Sequence, residues 1–117
     1  MSDMVAVDGD NFIAEVIDAD RPVLLDCWAS WCRPCLMLAP ELEALALEEP
    51  ERLKIAKLDC DEQPELAQLL GISLLPTMLL FVDGVVEAML RGYRTMDAIL
   101  EHFGPFLKAK KVSGAGG

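Results

Sequence analysis

The chain of 117 residues has few basic side chains and no long apolar run, and each shortage argues against a class of protein. Lysine and arginine number 10 against 20 aspartates and glutamates, which gives a net charge of −10 at pH 7. A general nucleic-acid-binding protein needs a basic face, so we expect no nucleic-acid partner. No apolar run reaches the roughly 18 residues that a membrane-spanning helix requires, so we expect no membrane partner either.

The N-terminus lacks the basic and apolar segments of a secretory signal, and the expected compartment is therefore the cytoplasm. Internal repeats and an interdomain linker are also lacking. Hydrophobic residues make up 53% of the chain, which is ample for one packed core. The sequence predicts a single domain over residues 1–110 and a flexible tail over residues 111–117.

Apolar periodicity and turn residues predict alternating helices and strands. We expect helices over residues 8–18, 33–48, 64–70 and 96–108, and strands over residues 22–29, 53–58, 77–82 and 85–90. The Asp83-Gly84 pair between the last two strands is a strong hairpin signal. Strands separated by helices are expected to pair in parallel, and the hairpin adds an antiparallel pair. The predicted fold class is α/β, a mixed sheet with helices on both faces.

Individual side chains predict the ends and faces of the helices. Asp8 is expected to cap the first helix, whose apolar side includes Ile13 and Val16. Pro40 lies inside the second helix and is expected to kink it, because proline removes a ladder hydrogen bond. Thr95 is expected to cap the last helix.

The segment Trp31-Cys32-Arg33-Pro34-Cys35 joins a predicted buried strand to a predicted helix. The helix dipole and free backbone N–H groups at a helix start lower the pKa of a thiol there. Cys32 is the better candidate nucleophile, because it lies nearer the helix start and is expected to be the more exposed. Cys35 lies one turn later on the same face, where it can close a disulfide with Cys32 or resolve a mixed disulfide.

A lone pair of cysteines with this spacing can also be half of a zinc site. Zinc sites of that kind usually contain a second such pair or a pair of histidines, whereas the other candidates here are Cys27, Cys60 and His102. Thiol–disulfide exchange is therefore favoured, and we expect no metal. Cys60 is either a regulatory or glutathionylated thiol or a small, partly buried apolar residue, and the second interpretation is preferred.

Asp26 lies in an otherwise apolar strand, six residues before Cys32. Burial of a carboxylate is costly, so the pKa of Asp26 is expected to rise. A carboxyl group that titrates near neutrality behind a dithiol can accept the proton of the resolving cysteine. Alternatively, Asp26 is a structural residue paired with Lys57 on the neighbouring strand, and both interpretations stay open.

Taken together, these motifs resemble the thioredoxin family over about residues 5–108. Besides the dithiol motif, the matching residues are Asp26, Trp28, Pro40, Lys57, Asp59, Leu75-Pro76-Thr77, Gly84 and Gly92. The resemblance implies a thioredoxin fold, with a central mixed sheet of four to five strands. It implies that Cys32 attacks, that Cys35 resolves, and that Asp26 with Lys57 is a buried proton-transfer pair.

The resemblance also implies cofactors, partners and a substrate surface. No cofactor is expected beyond the redox-active Cys32–Cys35 disulfide, and the implied partners of this monomer are thioredoxin reductase and disulfide-containing proteins. Pro76 is expected to be cis and to face the dithiol, although an X-Pro bond is usually trans. Leu74 and Leu75 are expected to offer backbone to an extended substrate segment. Further substrate contacts are implied at Trp31, Arg33, Pro34, Arg91 and Gly92.

Three residues depart from the ordinary family pattern. Arg33 stands where glycine is typical, Leu36 where a basic residue is typical, and Cys27 where an aromatic residue is typical. Arg33 is expected to stabilise the Cys32 thiolate and so make the disulfide more oxidising, while Leu36 partly offsets this effect. The net expectation is a slightly more oxidising couple.

The departures leave more than one function open. The favoured function is a general disulfide reductase, and the alternatives are a more oxidising oxidase or isomerase and a redox-gated binding module for one partner. Arg33, Arg91 and Arg94 either form a basic rim that favours acidic partners or are three separately solvated side chains.

Overall fold

A computed structural model of the chain describes residues 4–108, and the predicted tail over residues 111–117 lies outside that range. Within the described range, the strands are β1 (Val5–Ala6), β2 (Val23–Trp28), β3 (Lys54–Asp59), β4 (Thr77–Val82) and β5 (Val85–Arg91). The α-helices of the same range are α1 (Arg33–Glu48), α2 (Pro64–Leu69) and α3 (Met96–Phe103). A short π-helix (Ile13–Ile17) precedes β2, and a 3₁₀ turn (Gly104–Phe106) follows α3.

The strands form one mixed sheet in the order β1-β3-β2-β4-β5. β3 pairs in parallel with both β1 and β2, whereas β4 runs antiparallel to β2 and to β5. The mixed sheet is therefore confirmed, but parallel pairing across every helix is wrong for β4. The connection from β3 to β4 contains only the six-residue α2. So short a connection keeps the chain at the end of the sheet where β3 finishes. β4 therefore starts at that end and runs in the opposite direction.

Two differences from the sequence prediction lie near the N-terminus. β1 was not predicted, because two residues are too few to carry a periodic pattern. The first helix is shorter than expected, and its Asp18 N–H donates to the Ile13 carbonyl (2.8 Å) in the wider π pattern. Val16 is buried, whereas 58% of the Ile13 surface is exposed rather than packed as predicted.

Turn and cap residues act as predicted at two points. Asp83 and Gly84 both have positive φ, 51° and 80°, as a tight hairpin between β4 and β5 requires. A Cβ on Gly84 would also lie 3.1 Å from the Ile17 carbonyl oxygen, so a side chain is disfavoured there for a second reason. The Thr95 hydroxyl oxygen accepts a hydrogen bond from the Ala98 N–H (3.2 Å), which confirms the cap of α3.

α3 is shorter than predicted and ends at Phe103 rather than at residue 108. Gly104 and Pro105 follow it, and proline cannot continue an α-helix because its ring lacks an N–H and clashes with the preceding turn. α1 spans its predicted range and continues through Pro40 as one helix, while the expected kink at that residue stays a prediction.

The sheet separates two apolar layers. The layer beneath α1 and α3 is built from the buried side chains of Leu24, Leu38, Leu42, Leu45, Ile55, Ile99 and Phe103. The opposite layer is built from Phe12, Val16, Leu25, Cys27, Leu58, Leu79 and Phe81. Helices therefore cover both faces, as predicted, and β2 is buried between them. The start of α1 is consequently held at the carboxyl end of a buried central strand. None of the helices in residues 4–108 is long and apolar enough to cross a bilayer.

Candidate active site

The two motif cysteines lie at the junction of β2 and α1. Cys32 is the residue that caps α1, and its Sγ accepts a hydrogen bond from the Cys35 N–H (3.3 Å). Pro34 lies in the first turn, where the missing N–H of proline costs no helical hydrogen bond. The two sulfurs form a disulfide whose Cα atoms lie 5.2 Å apart. The predicted junction and the pairing of these two thiols are both present.

The dithiol is covered by apolar side chains. Cys32 exposes 4% of its surface and Cys35 exposes 2%, so the expected difference in exposure between them is small. Both pack in a cluster with Ala29, Trp28 and Leu75. What distinguishes the two cysteines is their position on α1: Cys32 lies at the end where backbone N–H groups point outward, and Cys35 lies one turn inside.

The loop before β4 forms a second wall of the site. The Leu75–Pro76 peptide bond is cis, as the family resemblance implied and the local base rate did not. Leu75 packs against the buried cluster that contains both cysteines, and the Pro76 carbonyl accepts a hydrogen bond from the Gly92 N–H (2.8 Å). The Leu74 carbonyl accepts one from the Thr77 hydroxyl. The structure thus brings Leu75, Pro76 and Gly92 together beside the dithiol.

Trp31 extends the site towards the carboxyl end of β3. Its side chain is 69% exposed, and its indole Nε1 donates a hydrogen bond to Asp61 Oδ2 (2.8 Å). Asp61 was missed in the sequence. The predicted parallel pairing of β2 and β3 could have indicated it. Two parallel strands end at the same edge of the sheet, so the residues that follow them lie close together.

Asp26 is a fully buried carboxyl group on β2. It is in register with Lys57 on β3, whose Nζ lies 3.9 Å from Asp26 Oδ2. Neither carboxyl oxygen has a hydrogen-bond partner among residues 4–108. Burial raises the pKa of Asp26 from 3.8 to about 7, and the positive charge of Lys57 opposes only part of that rise. The expected rise and the pairing with Lys57 are therefore both present, so the two sequence interpretations of Asp26 do not exclude each other.

Asp26 lies on the sheet face that α1 covers. Successive side chains of a strand point to opposite faces, and Leu25 and Cys27 belong to the opposite layer. Asp26 and Trp28 therefore lie on the sheet face that α1 covers. The Lys57 Nζ lies 4.7 Å from the centroid of the Trp28 ring. Trp28 in turn packs against the dithiol. The titrating carboxyl group is thus two residues from a side chain that packs against the cluster containing both cysteines.

The three arginines of the expected rim are all exposed. Arg33 is the first residue of α1, and Arg91 pairs in register with Thr77 at the start of β4. Arg94 donates a hydrogen bond to the Tyr93 carbonyl (2.9 Å). Their positions are compatible with either interpretation, and a shared basic rim stays a prediction.

Comparison with known proteins points to one family. The model of the Thioredoxin family matches residues 3–104. A thioredoxin of Chlorobaculum thiosulfatiphilum is 46% identical over 82 residues, which cover 70% of this chain and 76% of that protein. A thioredoxin of Acidithiobacillus ferridurans is 45% identical over 89 residues, which cover 75% and 82% of the two chains. A bifunctional thioredoxin reductase/thioredoxin of Mycobacterium leprae is 42% identical over 90 residues, which cover 77% of this chain and only 20% of the longer protein.

Proposed function

This chain belongs to the thioredoxin family of disulfide oxidoreductases, and on that premise we propose that its Cys32–Cys35 dithiol reduces disulfides in other proteins. The observation that carries the proposal is the position of the pair. The two cysteines close a disulfide at the start of α1, and Leu75, which precedes a cis Pro76, packs against the cluster that contains them.

In the first proposed step, the Cys32 thiolate attacks one sulfur of a substrate disulfide. A Cys32–substrate disulfide forms, and the second substrate sulfur leaves as a thiolate that takes up a proton. The support for Cys32 in this role is its position as the cap of α1, where the helix dipole favours a negative charge.

In the second proposed step, Cys35 resolves the mixed disulfide. Its thiol gives up a proton, and its sulfur attacks Cys32 Sγ, which restores the Cys32–Cys35 disulfide and releases the reduced substrate. The Cα separation of 5.2 Å supports this closure. Asp26 is the proposed proton acceptor, because a buried carboxyl group with a pKa of about 7 is half ionised near neutral pH.

The proposed substrate surface is the loop before β4, together with the exposed part of the dithiol motif. Within residues 4–108, the backbone of Leu75 makes no hydrogen bond, which leaves its N–H and C=O free to pair with an extended substrate segment. Leu74 is exposed on the same loop. The motif contributes the exposed side chains of Trp31, Arg33 and Pro34 to the proposed surface. Arg91 and Gly92 complete it through the Gly92 hydrogen bond to Pro76.

The proposed electron donor is a thioredoxin reductase, as family membership implies. The Mycobacterium leprae relative, named as a bifunctional thioredoxin reductase/thioredoxin, supports this pairing of activities. The two free cysteines, Cys27 and Cys60, support a reducing compartment such as the cytoplasm. The proposed active form is a monomer, because both cysteines and the loop beside them come from one chain.

Insulin reduction with dithiothreitol as the electron source tests this function. We expect the wild-type chain to accelerate precipitation of the insulin B chain, and Cys32→Ser to give no more than the dithiothreitol background. Cys60→Ser is the matched control, since it removes a thiol outside the motif, and we expect it to keep wild-type activity. Equal acceleration by the wild-type chain and Cys32→Ser would exclude the proposed role of Cys32.

A further inference from the structure

Two cysteines outside the motif lie side by side on the sheet face opposite α1. Cys27 of β2 is in register with Leu58 of β3, and Cys60 follows two residues later, so all three side chains share one face. The Cys60 N–H donates to the Trp28 carbonyl (2.8 Å), which extends the β2–β3 ladder by one residue. The Cys60 thiol donates a weak hydrogen bond to the Leu58 carbonyl (3.8 Å), and each of the two thiols shifts the pKa of the other. Neighbouring strands thus hold two free thiols on one face, near enough to influence each other.

The two thiols differ in environment. Cys27 is completely buried, whereas Cys60 is partly exposed. Interaction with the Cys27 thiol lowers the pKa of Cys60, although burial and the carboxylates of Asp59, Asp26 and Asp61 oppose that effect. The same interaction and burial raise the pKa of Cys27. An accessible thiol with a favoured thiolate next to a buried thiol is the asymmetry of an attacking and a resolving cysteine.

We propose that Cys27 and Cys60 form a second redox pair, which low-molecular-weight disulfides oxidise to an internal Cys27–Cys60 disulfide. Cys60 gives up its proton, and its thiolate attacks one sulfur of the small disulfide, forming a mixed disulfide and releasing one small thiolate that takes up a proton. The Cys27 sulfur then attacks Cys60 Sγ, and its proton passes to the second small thiolate as that group leaves. Two electrons leave the protein pair, and one small disulfide becomes two small thiols.

This pair is connected to the surface proposed for substrates. Asp61 follows Cys60 directly, and its carboxylate holds the indole of Trp31. A displacement of Cys60 on closure of the second disulfide would therefore be felt at the Trp31 indole, and tryptophan fluorescence is the signal that would detect it.

The test isolates the second pair in a chain that carries Cys32→Ser and Cys35→Ser, which leaves Cys27 and Cys60 as the remaining thiols of the four. The reduced protein is incubated with glutathione disulfide, quenched in acid, alkylated with N-ethylmaleimide and weighed by intact mass spectrometry. We expect both alkylatable thiols to disappear together, the mass to fall by two hydrogens, and a peptide crosslink to join residues 27 and 60.

A matched chain that also carries Cys27→Ala should instead accumulate a stable glutathione adduct on Cys60. The proposal is overturned if that adduct accumulates equally with and without Cys27, or if both thiols stay alkylatable. If these variants do not fold, the same oxidation is measured on the wild-type chain. It should lose four hydrogens on full oxidation, and a loss of only two would also overturn the proposal. Because the proposal concerns only Cys27 and Cys60, its failure would leave the insulin assay of Cys32 unaffected.

Discussion

Asp26 Oδ2 and Lys57 Nζ lie 3.9 Å apart across the β2–β3 ladder, and the carboxyl group is fully buried while the ammonium group is partly exposed. A salt bridge of this length, with no hydrogen bond to either carboxyl oxygen within residues 4–108, offsets only part of the cost of burial. The pKa of Asp26 therefore rises to about 7, despite the nearby cation. The pair keeps a carboxyl group in the interior that exchanges its proton near neutral pH.

Replacing Asp26 with asparagine should stabilise the oxidised protein at pH 8. The pKa of Asp26 is raised from 3.8 to about 7 in the folded state. Below pH 4 the carboxyl group is protonated in both states and burial costs no ionisation energy, but the free energy of unfolding falls as the pH rises towards and through 7. The shift corresponds to about 4 kcal/mol as an upper bound. Urea unfolding between pH 3 and pH 9 should show that the advantage of Asp26→Asn grows across this window.

Asp10→Asn is the matched control for that series, because Asp10 is exposed and its change should leave the pH profile of unfolding nearly unaltered. An advantage of Asp26→Asn that is the same at pH 4 and pH 8 would contradict the raised pKa.

Replacing Lys57 with methionine should raise the pKa of Asp26 further. The positive charge of Lys57 is the influence that lowers this pKa against burial, and methionine keeps the aliphatic length but removes the charge. The carboxyl resonance of Asp26, followed by NMR through a pH titration, should move to a higher midpoint in Lys57→Met. Lys57→Arg retains the charge and should titrate close to the wild type. A midpoint in Lys57→Met that is equal to or below the wild-type value would show that Lys57 does not act on this carboxyl group.

Replacing Arg33 with glycine should make the Cys32–Cys35 couple more reducing. Arg33 is exposed at the start of α1, next to Cys32, where its charge favours the thiolate and hence the reduced form. An exposed pair of opposite charges is worth ~0.2–1 kcal/mol, and ~30 mV corresponds to ~1.4 kcal/mol for this couple, so the potential should fall by roughly 5–20 mV.

Equilibration with glutathione buffers measures that potential. Arg33→Lys keeps the charge and should stay within a few millivolts of the wild type, and high salt should shrink the effect of Arg33→Gly because the Arg33 side chain is exposed. A rise in potential on Arg33→Gly would reverse the proposed sign. A wild-type potential far above that of ordinary thioredoxins would instead favour the oxidase or isomerase alternative.

Local patterns predicted the parts of the fold that local forces determine. α1 follows from a four-residue apolar stripe and a helix start at Arg33, and the β4–β5 hairpin follows from Asp83-Gly84. The Thr95 cap was also predictable from the sequence. Each of these features depends on residues within a few positions of one another, so short-range periodicity and turn chemistry were sufficient.

The features that sequence reasoning missed depend on contacts between distant segments. The antiparallel direction of β4 depends on the end of the sheet at which the β3–β4 connection finishes, and no local sequence pattern indicates that end. The hydrogen bond between Trp31 and Asp61 and the placement of Cys27 and Cys60 on one sheet face both arise from the β2–β3 pairing. The cis bond before Pro76 was expected through the family resemblance alone, since its neighbours in sequence carry no signal for it.

The most direct test of the account is the covalent adduct that Cys35→Ser forms with a peptide disulfide. Without the resolving thiol, the mixed disulfide should persist, and mass mapping should place the peptide on Cys32. Cys32→Ser should form no corresponding adduct at the motif. A peptide found on Cys60, or no stable adduct on Cys32, would contradict the proposal that Cys32 attacks and Cys35 resolves.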